Sequence, residues 1–224
     1  MKKKIIISAA ATVLMTSLFP LSVLADTTPG EIHFSNDQTE TGAKDPDDPS
    51  QPATPGDGHN KETGNPGPLS LDVIPVKFDF GTVKASVTET TYQAKSTDRV
   101  QYIQVTDKRT DKNGWTVKAQ RTEFLDENDV DGLAGSILTI PAGSAKNELT
   151  GSATPTGLQT TEAAMVAATE YTVFESENQN NAGKMSSVSS WAGDQVSLKI
   201  PGMTAKAKGY SATITWTLAA VATP

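Results

Sequence analysis

The 224-residue sequence predicts an all-β protein: an antiparallel two-sheet β-sandwich, Greek-key or barrel-like, preceded by a disordered linker. Three observations carry this. Apolar residues recur at every second position in segment after segment, the period of a strand buried on one face. Clusters such as Lys112-Asn113-Gly114, Pro141-Ala142-Gly143, Asn180-Asn181-Ala182-Gly183 and Lys208-Gly209 separate those segments with turn chemistry. Between Phe34 and Leu69 there is no large aliphatic side chain and no Phe, Tyr or Trp, so little there can offset the entropy of ordering.

The elements follow in chain order. Lys2, Lys3 and Lys4 precede an apolar stretch from Ile5 to Leu24 that ends Val23-Leu24-Ala25-Asp26. This is the pattern of a signal peptide over residues 1–25, cleaved after Ala25. Ser8, Thr12, Thr16, Ser17, Pro20 and Ser22 dilute the stretch as a bilayer span. Residues 26–36 contain Gly30-Glu31-Ile32-His33-Phe34, whose alternation predicts one short strand. Residues 37–68, rich in Pro, Asp and Gly, predict the mobile linker, and residues 69–224 the folded domain.

Within that domain the alternation predicts strands at Leu69–Val73, Val76–Phe80, Trp115–Ala119, Val196–Ile200 and Tyr210–Ala220. In the last of these Tyr210, Ala212, Ile214, Trp216, Leu218 and Ala220 share one face, and Ser211, Thr213, Thr215 and Thr217 the other. Further strands are expected at Glu89–Ala94, Val100–Thr106, Ile137–Ile140 and Glu170–Glu175. Thr161–Thr169, rich in alanine behind a threonine cap, is the one helix candidate.

Composition narrows the function. Removing residues 1–25 deletes three lysines and no acids, so the formal charge goes from −7 to −10. That balance argues against nucleic acid as a partner. Cysteine is absent, which removes thiol catalysis and zinc–thiolate sites and leaves stability to an ordinary core. His33 and His59 both fall in the N-terminal region expected to be poorly structured, so neither a Ser-His-Asp arrangement nor a histidine metal site is expected. Asp126-Glu127-Asn128-Asp129-Val130-Asp131-Gly132 has the start of a calcium loop, but Leu138 stands where its bidentate glutamate belongs, so a solvated acidic turn is expected. No carboxylate pair stands out for glycoside hydrolysis. The expectation is a non-enzymatic protein with no cofactor and no metal.

Two tryptophan strands identify a resemblance. Gly114-Trp115-Thr116-Val117 lies in the first third of the domain and Thr215-Trp216-Thr217-Leu218 closes it. This pair resembles the proximal and distal Trp-x-Leu motifs of the WxL domain of Gram-positive surface proteins, with Val117 standing in for leucine. Gly30–Phe34, the Pro/Asp linker, Asp79-Phe80-Gly81, Val105–Arg109, Val196–Pro201 and Lys208-Gly209-Tyr210 also match the family pattern. The resemblance covers nearly the whole chain after residue 25. It implies non-covalent attachment to the cell wall through peptidoglycan, with Trp115, Val117, Trp216 and Leu218 as the wall-binding motif. It also implies company: larger WxL proteins and a membrane-anchored WxL-interacting protein. No Leu-Pro-x-Thr-Gly sorting signal occurs, in keeping with non-covalent attachment. Assembly on such protein partners, with little direct glycan contact, is the alternative function.

Alternation gives the motifs two readings. Trp216 and Leu218 share their face with Ile214 and Ala220 opposite a row of threonines, which favours core positions, and Trp115 with Val117 reads alike. A sugar platform of exposed rings is the competing arrangement. Trp191, in Ser189-Ser190-Trp191-Ala192, lies off any clean alternation and is the candidate exposed aromatic.

Overall fold

Period-two alternation folds into thirteen strands in a computed structural model that describes residues 29–35, 37–53, 58–110, 114–177 and 182–221. The expected signal peptide lies outside the described residues. Residues up to Phe34 and residues from Ser35 onward form separate units. In the first unit the strand expected over Gly30–Phe34 is not formed; its described residues have no regular structure and Ile32 and Phe34 are exposed.

In the second unit every ladder is antiparallel, and the strands make three sheets rather than the two expected. The first sheet has the order β1-β2-β4-β11-β7, with β1 at Asn60–Glu62, β2 at Leu69–Pro75, β4 at Gln101–Asp107, β11 at Met185–Trp191 and β7 at Ser144–Asn147. The second is β13-β5-β10-β8: Ile214–Ala220, Trp115–Arg121, Tyr171–Ser176 and Leu158–Thr160. The third is β3-β12-β6-β9: Thr90–Gln93, Ser197–Ile200, Ile137–Ile140 and Ala163–Met165. A third sheet arises because the chain leaves the first one abruptly. After Trp191 a single 3-10 turn at Gly193–Gln195 redirects it into β12, and β3 likewise joins β12 rather than its chain neighbour β2.

One hydrophobic core serves all three sheets. Leu71, Ile103 and Val105 reach it from the first, Trp115, Val117 and Phe174 from the second, and Leu138, Met165 and Leu198 from the third. Two predicted elements differ. The helix expected at Thr161–Thr169 is instead β9, because Ala163 and Met165 are wholly buried with Ala164 exposed between them, a strand alternation. The strand expected at Val76–Phe80 is absent: β2 ends at Pro75, and Phe78 and Phe80 pack against the core from a segment outside any ladder.

The linker behaves least as expected. Residues within 37–53 are bonded to the outer face of the first sheet, and residues 60–62 extend its edge. The Lys44 N–H donates to Gln104 Oε1 at 2.7 Å, Gln104 Nε2 donates to the Gly42 carbonyl at 3.1 Å, and Lys44 Nζ pairs with Glu148 at 3.1 Å. Lys108 pairs with Asp37 at 3.0 Å, and β1 adds a three-residue ladder to β2. His59 at the head of β1 lies 2.6 Å from Asp98, so this histidine too is in ordered structure.

That outer face is polar and buried, which is why a hydrophilic segment can cover it. The β2–β4 ladder slips between Leu71 and Val73, so Leu71 enters the main core while Val73 joins Tyr102 and Val188 in a small outer cluster against Ala43. Asp72, on the bulge, accepts from Ser70 at 2.5 Å, Gln104 at 3.0 Å and Thr106 at 2.5 Å. Burial pushes its carboxyl above the ordinary carboxylate range, against the three hydrogen bonds. On β11, Ser186 and Ser190 share the outer face with Val188 and are buried, small enough to let strap and sheet approach.

Two measurements check this arrangement. Amide exchange and limited proteolysis should show residues 58–68 and 41–46 protected with the sheet; cleavage throughout 37–68 from a stable remainder would restore the free linker. Because the folded state takes up the Asp72 proton above the unfolded value of about 4, that group favours the folded state most at low pH and progressively less as pH rises through its raised pKa. Asp72→Asn should therefore gain stability relative to the parent as pH rises above about 4 in denaturant titrations, and a difference that does not change with pH would exclude the effect.

Candidate functional site

The two tryptophan motifs are neighbours. β5 and β13 pair so that Trp115 faces Ala220, Val117 faces Leu218 and Ala119 faces Trp216. Each large ring thus has a small alanine across the ladder, and the aliphatic residues of the two motifs, Val117 and Leu218, meet at its centre.

Their environments differ. Trp115 and Val117 are fully buried, because β5 is flanked by β13 and β10. The Trp115 ring stands edge-on to Phe174 with centroids 4.9 Å apart, and its indole N–H donates to the Gly183 carbonyl at 3.2 Å. Gly183 admits no side chain, since a β-carbon there would come within 2.5 Å of that indole nitrogen. Trp216 and Leu218 are half-buried. They pack against the core from one side only, because β13 is an edge strand. The expectation of two equivalent core motifs is corrected by that edge position. Trp191, the candidate exposed aromatic, is buried: it ends β11 and joins the main core. The serine run that hides its strand in the sequence is the inner part of a sheet covered on both faces.

Trp216 lines a cleft of about 1130 Å³. Its walls come from three separated stretches, residues 74–85, residues 205–214, and the edge of the third sheet. Phe78, Phe80, Tyr92 and Tyr210 join Trp216 around it, over a floor that includes Leu138 and Leu198. The tyrosine hydroxyls fix the bordering loops: Tyr92 donates to the Lys84 carbonyl at 2.8 Å, and the Lys206 N–H donates to Tyr210 Oη at 3.0 Å. Sequence reasoning missed this cleft as a site. Phe78, Phe80 and Tyr210 were visible as alternating residues, yet nothing local indicates that they converge.

The acidic turn holds the cleft's border. Lys208 donates to Asp126 at 2.8 Å and to Asp131 at 2.5 Å, and Lys206 to Asp131 at 2.5 Å. The Lys208 bond, helped by the N–H groups of Val130 and Asp131, holds the Asp126 carboxyl down to about 2. These carboxylates are filled by protein donors, and among the described residues no group of three or more His, Asp or Glu side chains could hold a metal. Nearby, the buried Arg121 guanidinium donates to the carbonyls of Met165 at 3.0 Å and Thr122 at 2.9 Å and to that of Ser136. Burial lowers its pKa from the ordinary arginine value. It ties the second sheet to the third and faces no ligand space.

Truncation should separate the two rings. Trp115→Ala should cost on the order of 3–5 kcal/mol and lower the melting temperature sharply. Trp216→Ala, losing a half-exposed ring, should cost roughly 1–3 kcal/mol and leave the protein folded. Equal losses in thermal unfolding would contradict the assignment of one ring to the core and the other to the cleft.

Comparison with known proteins gives one match. The family described as "WxL domain surface cell wall-binding" matches residues 23–222. No curated protein and no solved structure matches the chain.

Proposed function

Because the chain belongs to the WxL family of surface cell wall-binding domains, we propose that it attaches non-covalently to the wall of a Gram-positive cell, with peptidoglycan as ligand and the aromatic cleft as the contact surface. The carrying observation is the half-exposed Trp216 beside Phe78, Phe80, Tyr92 and Tyr210 in one cleft. Sugar rings present apolar C–H faces that pack on aromatic rings, and a concave site with several such rings can take more than one sugar unit. On this reading the proximal motif builds the ladder and the distal one meets the ligand. Export by the leader over residues 1–25 would deliver the protein to that surface.

The second reading, assembly with larger WxL proteins and a membrane-anchored WxL-interacting protein, draws support from β13. It is an edge strand whose Thr215, Thr217 and Ala219 are exposed, a surface that a partner strand could extend.

Purified peptidoglycan, stripped of protein, separates the two. The protein should sediment with it and be released by concentrated lithium chloride, which leaves covalent bonds intact. Trp216→Ala should lose most of that binding while remaining folded. Retention of full binding by the folded variant would remove the cleft from the mechanism, and failure of the parent to sediment would favour the protein-assembly reading.

A further inference from the structure

We propose that the rim of the cleft holds the phosphate groups of a phosphodiester-linked anionic polymer carried on the wall glycan, while the aromatic walls pack on its sugar or polyol carbons; this rests on the wall-binding reading of the same cleft. The observation is a segregation of charge. The chain carries a formal charge of −7, yet Lys61, Lys77, Lys84, Lys206 and Lys208 all line the cleft, and Asp79 is the one carboxylate among its lining residues.

That carboxylate is already occupied. Asp79 lies 3.6 Å from Lys77 and 3.3 Å from Lys95, and it accepts the Gly81 N–H at 2.8 Å. The Gly81 bond, with Lys95 behind it, holds its carboxyl below the ordinary range. It therefore stays ionised and offsets one of the two flanking lysines. Lys206 and Lys208 lean on Asp131 and Asp126 outside the cleft. Lys61 and Lys84 have no carboxylate within ion-pair distance among the described residues, and both are exposed. A cleft with surplus positive charge over an apolar floor raises the local concentration of anionic ligands, even on a protein whose net charge repels them.

The kind of cation suits a flexible anion. The three arginines of the chain, Arg99, Arg109 and Arg121, do not line the cleft. Guanidinium forks grip carboxylate or phosphate in one fixed orientation, whereas ammonium groups act as point charges that hold a flexible anion, phosphate included, in many orientations. The positions of two of the lysines are nonetheless set, since Tyr92 and Tyr210 fix the backbone at Lys84 and Lys206. Ammonium groups set beside aromatic walls suit a polymer that alternates phosphate with carbon-rich units. A carboxylate-bearing peptide would meet the same charge without using the rings.

The test compares wall sacculi before and after hydrofluoric acid, which cleaves phosphodiesters and leaves glycan strands and peptide carboxylates in place. The full protein should bind untreated sacculi at least about tenfold more tightly than treated ones, with the difference shrinking as salt is raised. A Lys61→Gln/Lys84→Gln double variant should lose binding to untreated sacculi and keep the parent's residual binding to treated ones. Lys118→Gln/Lys199→Gln, an equal loss of charge at half-buried strand positions outside the cleft, should change neither. Equal binding of the parent to both preparations, or an equal loss in the control variant, overturns the phosphate assignment while leaving wall binding intact. Absence of binding to either preparation defeats the wall-binding reading and this proposal together.

Discussion

The ladder between β5 and β13 joins the first and last thirds of the domain, and it does so in the one register that sets Trp115 against Ala220 and Trp216 against Ala119. A slip of one residue would turn every side chain of β13 to its other face, exposing the rings and burying threonines. Two tryptophans directly opposite one another would demand far more space than a closely packed core offers. The alternation of large and small across the ladder meets both constraints together. From this pairing follow the continuity of the core under the second sheet and the position of Trp216 at the cleft. Two motifs that are nearly the same in sequence therefore have different physical tasks, one inside a sheet and one at its edge.

A second constraint acts on the first sheet. Both of its faces are covered, one by the hydrophobic core and the other by the N-terminal segment, and these coverings have opposite chemistry. The bulge between Leu71 and Val73 accommodates the change by letting β2 serve both faces. Asp72, Gln104, Thr106 and Ser186 give the outer layer hydrogen-bonding groups that meet one another and the backbone of the strap. Such a layer specifies one register for the strap through directional bonds. Its cost is the buried Asp72 carboxylate, whose ionisation opposes folding.

This division explains which parts of the fold the sequence makes legible. Strands whose burial is one-sided, such as β5, β12 and β13, show the alternation openly and are found from it, although β13 begins at Ile214 rather than at Tyr210. β11 does not, because a strand covered by apolar groups on one face and polar groups on the other reads Met-Ser-Ser-Val-Ser-Ser-Trp, with no hydrophobic period. The strap fails for the same reason: its stabilisation comes from hydrogen bonds and ion pairs with residues as distant as Gln104 and Glu148, and composition measures only hydrophobic burial. Ala163–Met165 reads as helix by propensity, and tertiary burial of two alternate residues overrides it. The motif tryptophans were visible, but their unequal exposure depends on strand order, which a linear pattern does not contain. The cleft is further still from the sequence, since its lining converges only when three sheets close around one core.

On the proposed reading, the edge position of β13 links stability to binding without making them the same property. A ring in the core must be enclosed to stabilise the fold, whereas a ring that meets ligand must remain accessible, and one side chain cannot do both fully. The paired motifs divide this conflict between two residues on one ladder. Trp115, pinned by Phe174 and Gly183, fixes β5 in place. Through Ala119 and Val117, β5 in turn fixes the height and facing of Trp216 and Leu218. A change at the buried motif can therefore disturb binding by displacing the ladder, with no ligand contact of its own. A requirement for both motifs in wall attachment is accordingly compatible with only one of them touching the wall.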